Sequence, residues 1–192
     1  IILRFSRIDV LINNAAIDAK FDKHSKISME NNRFEFFPIS ELKKSVEVNL
    51  IGTIIITQLV IQKMVQEGKG NIINVASTYS LVAPNQRLYD FGVGKTAFKP
   101  VDYVVSKSFL PNFTRYIATF YAKQSIRCNT IVPHGVFNDH SKDFLKNWEE
   151  LSPIGRMCNS YELNGPFIFL ASDASSYMTG STLVVDGGWT AW

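Results

Sequence analysis

Residues 71–77 read Asn71-Ile72-Ile73-Asn74-Val75-Ala76-Ser77, a short, largely β-branched run that ends in a hydroxyl. An apolar run of this length, without strict alternation, suits a strand covered on both faces, as in a parallel sheet. Three other stretches share this character. Ile8-Asp9-Val10-Leu11-Ile12 leads into Asn13-Asn14-Ala15-Ala16, Ile126 to Val132 leads into Pro133-His134-Gly135, and Thr182-Leu183-Val184-Val185 leads into Asp186-Gly187-Gly188. Helical stretches separate them. One spans Ser40 to about Glu67, with Ser40 as the expected N-cap and Gly68 as the stop. Another begins after Pro100 and runs to about Lys123, with Pro111 expected to kink or break it near residues 107–111. Residues 139–150 read as a short helix, and 160–171 as a second one broken at Gly165-Pro166. Residues 18–38 have no clean period, and residues 78–100 form a long connection of the kind that is usually functional or disordered. Strands alternating with helices predict an α/β fold, a Rossmann-like parallel sheet with helices on both faces, as one domain over residues 1–192.

Composition narrows the function classes. A chain of 192 residues with 46% hydrophobic content can bury a core, and a net charge of +3 without any Lys/Arg run gives no reason to expect nucleic acid. Cys128 and Cys158 are too few for a disulfide framework and suit a reducing compartment, so a cytoplasmic location is expected. His24, His134 and His140 show no ligand spacing, and no metal is expected. The most apolar window, Val48 to Val65, is interrupted by Asn49, Thr53, Thr57, Gln58, Gln62 and Lys63, which predicts a buried helix rather than a membrane span. That helix is apolar on more than one face, through Val46, Leu50, Ile54, Ile55, Leu59, Val60, Ile61 and Met64, and is expected in the sheet or against a partner. The chain opens Ile1-Ile2-Leu3-Arg4, as a fragment or a processed product would.

In open parallel sheets ligands sit beyond the carboxyl ends of the strands. The expected strands put Asn13-Asn14-Ala15, Ser77 and Pro133-His134-Gly135 there. Tyr103 and Lys107 are one helical turn apart and share a face. A phenol is a poor acid at neutral pH until a nearby ammonium favours its ionised form. Such a pair is common on helix surfaces, and it acquires meaning only beside Ser77. A hydroxyl, a phenol and an ammonium at one edge, without a Gly-x-Ser-x-Gly elbow, fit acid–base assistance to a carbonyl/alcohol pair whose hydride comes from a cofactor.

Asn13-Asn14-Ala15-Ala16, Asn49 within Val48-Asn49-Leu50, Ser77 after its strand, Tyr103-x-x-x-Lys107 and Val184-Val185-Asp186-Gly187-Gly188-Trp189 occur in the order found in one family. The sequence resembles the short-chain dehydrogenases/reductases over almost its whole length. The segment from Val82 to Tyr103 is most similar to the subgroup called flagellin modification protein A, oxidoreductases linked to nonulosonic sugar synthesis. The resemblance implies catalysis by Asn49, Ser77, Tyr103 and Lys107. Tyr103 would be acid in reduction and base in oxidation, and Lys107 would lower its pKa and hold the nicotinamide ribose. Ser77 would bind the substrate oxygen, and Asn49 would anchor a water that relays protons. NAD or NADP would meet Asn13 and Ala15 at the adenosine side, Tyr103 and Lys107 at the ribose, and Pro133 and Val136 at the nicotinamide end. A sugar or sugar-derived substrate and a homodimer or homotetramer are also implied.

The chain departs from the family in several places. The resemblance begins at about the family's fourth strand, so this is the C-terminal two-thirds of the fold. Neither the glycine-rich phosphate loop nor the residue that selects NAD or NADP has a counterpart. Ala16 replaces a glycine, His134 replaces the glycine of a Pro-Gly turn, and Asn138 or Asp139 stands where a cofactor-contacting threonine is usual. The spacing from Ser77 to Tyr103 is roughly double the family's, and its loop carries Tyr79, Arg87, Tyr89, Lys95 and Lys99. Either that loop folds over the cleft and reads a polar sugar, or it is a solvated insertion. A non-catalytic or truncated relative acting as a binding or scaffold subunit is the alternative to an enzyme.

Overall fold

The computed structural model describes residues 2–18, 32–92 and 97–192. Among the described residues four strands, β1 (Val10–Asn13), β2 (Gly70–Val75), β3 (Ile126–Pro133) and β4 (Thr182–Val185), pair in that order, all parallel. Each coincides with one of the apolar runs. Parallel neighbours need crossover connections, and here these carry helices. Helix α1 (Ile39–Glu67) joins β1 to β2. Helices α2 (Val101–Ser108) and α3 (Leu110–Tyr121) join β2 to β3, and α4 (Lys142–Leu151) and α5 (Asn164–Ala171) join β3 to β4.

Both faces of the sheet are covered. Val60, Ile61 and Met64 of α1 and Ile117 and Ala118 of α3 pack over Ile72, Ile126 and Cys128. On the opposite face Phe167 and Leu170 of α5 pack on Ile73, Val75 and Ile131. This two-sided burial is why the strands do not alternate apolar with polar. One row on the α1/α3 side is polar. Asn13 pairs with Asn74 across β1–β2, and Asn74 with Thr130 across β2–β3. Asn13 Nδ2 donates to Asn74 Oδ1 (2.8 Å) and Thr57 Oγ1 (3.0 Å), Asn74 Nδ2 donates to Thr114 Oγ1 (2.8 Å), and the Thr114 and Thr130 hydroxyls are 2.7 Å apart.

Helix α1 corrects two expectations. It starts at Ile39 rather than after Ser40, because the Pro38 carbonyl already accepts from Glu41 and Leu42. It is also buried along one face only. The face turned inward is largely polar (Ser45, Asn49, Thr53 and Thr57) before Val60, Ile61 and Met64, whereas Val48, Ile51, Ile55 and Leu59 lie exposed. By length and composition this is the one helix among the described residues that could cross a membrane, yet its polar face is hydrogen-bonded into the domain. Residues Val46–Ile51 are wound as a π-helix around Asn49, a distortion that is frequent at functional sites. Gly68 ends α1 at φ 66°, the left-handed cap expected of it.

The Pro111 break is where the sequence places it. Phe109 separates α2 from α3, and Pro111 lies in the first turn of α3, where its missing N–H costs nothing. The expected break at Gly165-Pro166 does not occur. A 3₁₀ turn (Ser160–Leu163) precedes α5, and Pro166 sits in the α5 first turn. Residues 78–92 and 97–100 are a packed element. Leu88, Tyr89 and Ala97 are buried with Phe144 and Trp148 of α4, Met157 and Trp189.

Candidate active site

The carboxyl ends of β2 and β3 and the start of α2 enclose a cleft of about 450 Å3, lined among others by Ser77, Tyr103, Pro133 and Val136. Ser77 follows β2 in extended backbone, its hydroxyl accepts from the Tyr79 N–H, and it lines the cleft together with Tyr103. Tyr103 reaches that point because α2 is fixed against α1. Ser45 Oγ donates to the buried Asp102 carboxylate (2.5 Å), and Asn49 Nδ2 donates to Ser106 Oγ (2.8 Å). With Asp102 and Ser106 turned to α1, Tyr103 and Lys107 take the other side of the helix. Lys107 Nζ donates to the Val75 carbonyl at 2.7 Å and lies 6.0 Å from the centre of the Tyr103 ring.

A second ammonium is closer. Lys99, from the end of the long loop, has its Nζ 4.2 Å from the Tyr103 ring centre and 2.6 Å from both carboxylate oxygens of Asp18. Burial lowers the pKa of Lys99 while Asp18 opposes that, and burial lowers Lys107 to about 8. The Tyr103 phenol is pushed up, by burial first and by the Asp18 charge second, with the nearby Ser77 hydroxyl acting the other way. The lowered phenol pKa expected from Lys107 is therefore not found in this arrangement. Its ammonium is committed to Val75, and the Asp18 carboxylate works in the opposite direction.

Asn49 also differs from expectation. Its Oδ1 accepts from the Ile17 N–H (2.8 Å) and its Nδ2 donates to the Ile17 carbonyl (2.9 Å) as well as to Ser106. The amide clamps the chain that follows β1 rather than facing the phenol. Asn13 points away from the cleft, because the alternation along β1 sends it to Thr57 and Asn74, and Ala15 is exposed outside the lining while Ala16 is in it. Asn138 lines the cleft and Asp139 does not.

Of the loop residues, Tyr79, Tyr89 and Lys99 line the cleft, and the two tyrosine hydroxyls are 2.8 Å apart. Arg87 lies elsewhere, beside Asp90 and Asn147. Lys95 falls outside the described residues, as does His24. His134 is more than a replaced glycine. It packs at a tilt against both Trp148 (4.4 Å) and Trp189 (4.3 Å), its Nδ1 is 2.5 Å from Thr78 Oγ1, and burial lowers its pKa to about 3. The turn's glycine role passes to Gly135 (φ 30°), where a Cβ would stand 2.0 Å from the Trp148 ring. Asp18 and the aromatic wall of Phe144 and Trp148 were not singled out from sequence. No spacing signal joins Asp18 to Lys99, which lie 81 residues apart.

A family model described as Enoyl-(Acyl carrier protein) reductase matches residues 1–190. The chain belongs to the short-chain dehydrogenase/reductase family. This family member is 31% identical over 191 residues to an L-rhamnose 1-dehydrogenase (NAD(P)(+)) of a Sphingomonas species, covering 96% of this chain and 66% of that protein. It is 28% identical to the Post-translational flagellin modification protein A of Campylobacter coli, covering 92% of this chain and 72% of the relative. Among solved structures, a short-chain dehydrogenase of Leptospira borgpetersenii with bound NAD+ superposes with a TM-score of 0.83 at 33% identity, covering 98% of this chain and 67% of that one. The chain thus spans about two thirds of the length of the curated relatives it matches.

Proposed function

We propose that this domain is the catalytic part of an NAD(P)-dependent oxidoreductase that interconverts a hydroxyl and a carbonyl on a sugar or sugar-derived substrate. The observation that carries this reading is that the Tyr103 phenol and the Ser77 hydroxyl line the same cleft at the carboxyl ends of β2 and β3. Two hydroxyls side by side are what a carbonyl oxygen needs, one group to bind it and one to exchange its proton. Tyr103 gives the proton in reduction and takes it in oxidation, and Ser77 holds the oxygen.

The residues present fit the nicotinamide end of a dinucleotide. Pro133 and Val136 line the cleft with Tyr103; the Lys107 ammonium is buried and outside the lining, 6.0 Å from the Tyr103 ring centre, and as a three-donor group that here gives one to Val75 it suits ribose hydroxyls. NAD or NADP, when bound, supplies or accepts the hydride. Asn49 acts by holding Ile17 and Ser106, and through Ser106 the phenol's own helix. Asn13 supports the sheet end, which leaves the adenosine side to backbone near Ala15 and Ala16.

The names of the relatives support a polyhydroxylated substrate, and the flagellin modification relative keeps nonulosonic sugars among the candidates. The exposed aliphatic face of α1, with Ile55 49% and Leu59 58% accessible, and the exposed Tyr116 and Phe120 of α3 support a second copy of the chain as partner, in a homodimer or homotetramer. Two unpaired cysteines support a cytoplasmic location. The test is Tyr103→Phe in the full-length protein. A loss of about 100- to 10,000-fold in kcat/KM with unchanged thermal stability supports the role, and activity within a few-fold of wild type removes it.

A further inference from the structure

The cleft holds a charged pair that the acid–base chemistry does not use. Lys99 and Asp18 come from separate loops and meet beside Tyr103, with the ammonium 2.6 Å from both carboxylate oxygens. The Lys99 side chain is 5% exposed, whereas that of Asp18 is 36% exposed, and both line the cleft. A pair kept only for stability has no need to face a ligand cleft.

We propose that Asp18 and Lys99 are the specificity-determining pair of this site, taking neighbouring hydroxyls of a polyhydroxylated substrate while Tyr103 works on the reacting carbon. The inference rests on the oxidoreductase reading above and names its substrate class. A hydroxyl both donates and accepts, so two adjacent hydroxyls complement a carboxylate beside an ammonium. An anionic group would meet the Asp18 charge in front of Lys99, whereas a neutral diol meets no repulsion. The Lys99 ammonium sits 4.2 Å from the Tyr103 ring centre, within reach of groups next to the reacting carbon. The surrounding wall suits a sugar as well. Tyr79 and Tyr89 add hydroxyls, and Phe144 and Trp148 add aromatic surface for the C–H face of a ring. The pair is preorganised, because Asn49 holds the Ile17 peptide on both sides, and this places Asp18.

The test compares wild-type full-length protein with Asp18→Asn and Lys99→Met. The substrates are threitol and L-rhamnose as polyhydroxylated probes, 2-butanol and cyclohexanol as monohydroxy probes, and D-gluconate as an anionic one. The ratio of kcat/KM for polyhydroxylated over monohydroxy substrates is expected to fall about 10- to 100-fold in each variant, the loss of hydrogen bonds to charged groups. An unchanged ratio overturns the proposal, whichever way the absolute rates move. A loss confined to D-gluconate in Lys99→Met overturns it in favour of an anion site. Binding is read separately from turnover, because Trp148 lines the cleft and reports occupancy by fluorescence. Wild type is expected to give a saturable response to at least one polyhydroxylated probe, with affinity weakened about tenfold or more in both variants. If wild type binds but turns over no alcohol or ketone, the oxidoreductase reading fails while this one stands. Equal responses in all three proteins, or none in wild type, overturn this one.

Discussion

Asn49 grips the backbone of Ile17 from both sides, accepting from its N–H at 2.8 Å and donating to its carbonyl at 2.9 Å. The π-turn that buries Asn49 inside α1 is thereby tied to the segment that delivers Ala16 and Asp18 to the cleft. Replacing Asn49 by Ala leaves the Ile17 peptide without these partners and frees the Ser106 hydroxyl. The variant is expected to lose about 1–3 kcal/mol of stability in urea unfolding and to show a raised KM. An unaltered denaturation midpoint would show that the clamp holds nothing.

Lys107 makes a pH prediction for both activity and stability. Its pKa is lowered by burial to about 8. Activity that depends on its positive charge should decline as pH rises through about 8, and Lys107→Arg, which keeps its charge, should move that limb upward. The folded state binds fewer protons than the unfolded one between about 8 and the ordinary value of 10.5, so stability should rise with pH across that window, by at most about 1.4 kcal/mol per pH unit. A pH series of chemical denaturation measures it, with Lys107→Met as the reference that lacks the slope.

His134 acts at the acid end. Between its ordinary value of 6.5 and its folded value of about 3, the unfolded chain holds a proton that the buried ring does not. Stability is therefore complete above pH 6.5 and declines on acidification by up to about 1.4 kcal/mol per unit. His134→Phe keeps a ring packed against Trp148 and Trp189 while leaving the Thr78 hydroxyl without its ring partner. It should be less stable at neutral pH and have a flatter acid profile, as measured by thermal unfolding from pH 4 to 7.

The outward face of α1 is open to test by mass. Leu59→Glu adds a charge to an exposed aliphatic stripe without touching the buried Thr57 or Val60. Sedimentation should show a smaller species than wild type, with unchanged far-ultraviolet dichroism. A wild-type monomer would dismiss the paired-helix reading outright.

The strands were legible as short apolar runs; central β2 and β3 are buried on both faces, as Ile72-Ile73 and Ile131-Val132 are, while edge strands β1 and β4 expose Ile12 and Val184. Tyr103, Ser77 and Pro133 were legible because strand ends and one helical turn set their positions, and Val136 followed from the family resemblance alone. The outward aliphatic face of α1, expected in the sheet or against a partner, does not meet the sheet, since apolar content does not say which side faces inward and here the inward side is Asn49, Thr53 and Thr57. Lys99 could be suspected from its loop, but its partner could not. An ion pair between segments 81 residues apart leaves no periodic trace in either.

The polar row through Asn13, Asn74 and Thr130 bears on how the sheet assembles. Parallel strands made of similar aliphatic residues have little in their side chains to distinguish one alignment from its neighbours. If β2 slid by one residue against β3, Asn74 would change faces and leave Thr114 for an apolar wall. If it slid by two, the amide would lie beside Cys128 or Val132 and lose Thr130 as a neighbour. Each misalignment would part the Asn74 amide from a hydroxyl partner on the β3 side, at a cost of about 1–3 kcal/mol per stranded group. These three small side chains therefore give the sheet an energetic reason to form in one alignment, the one that brings Ser77 and Pro133 out at the same edge.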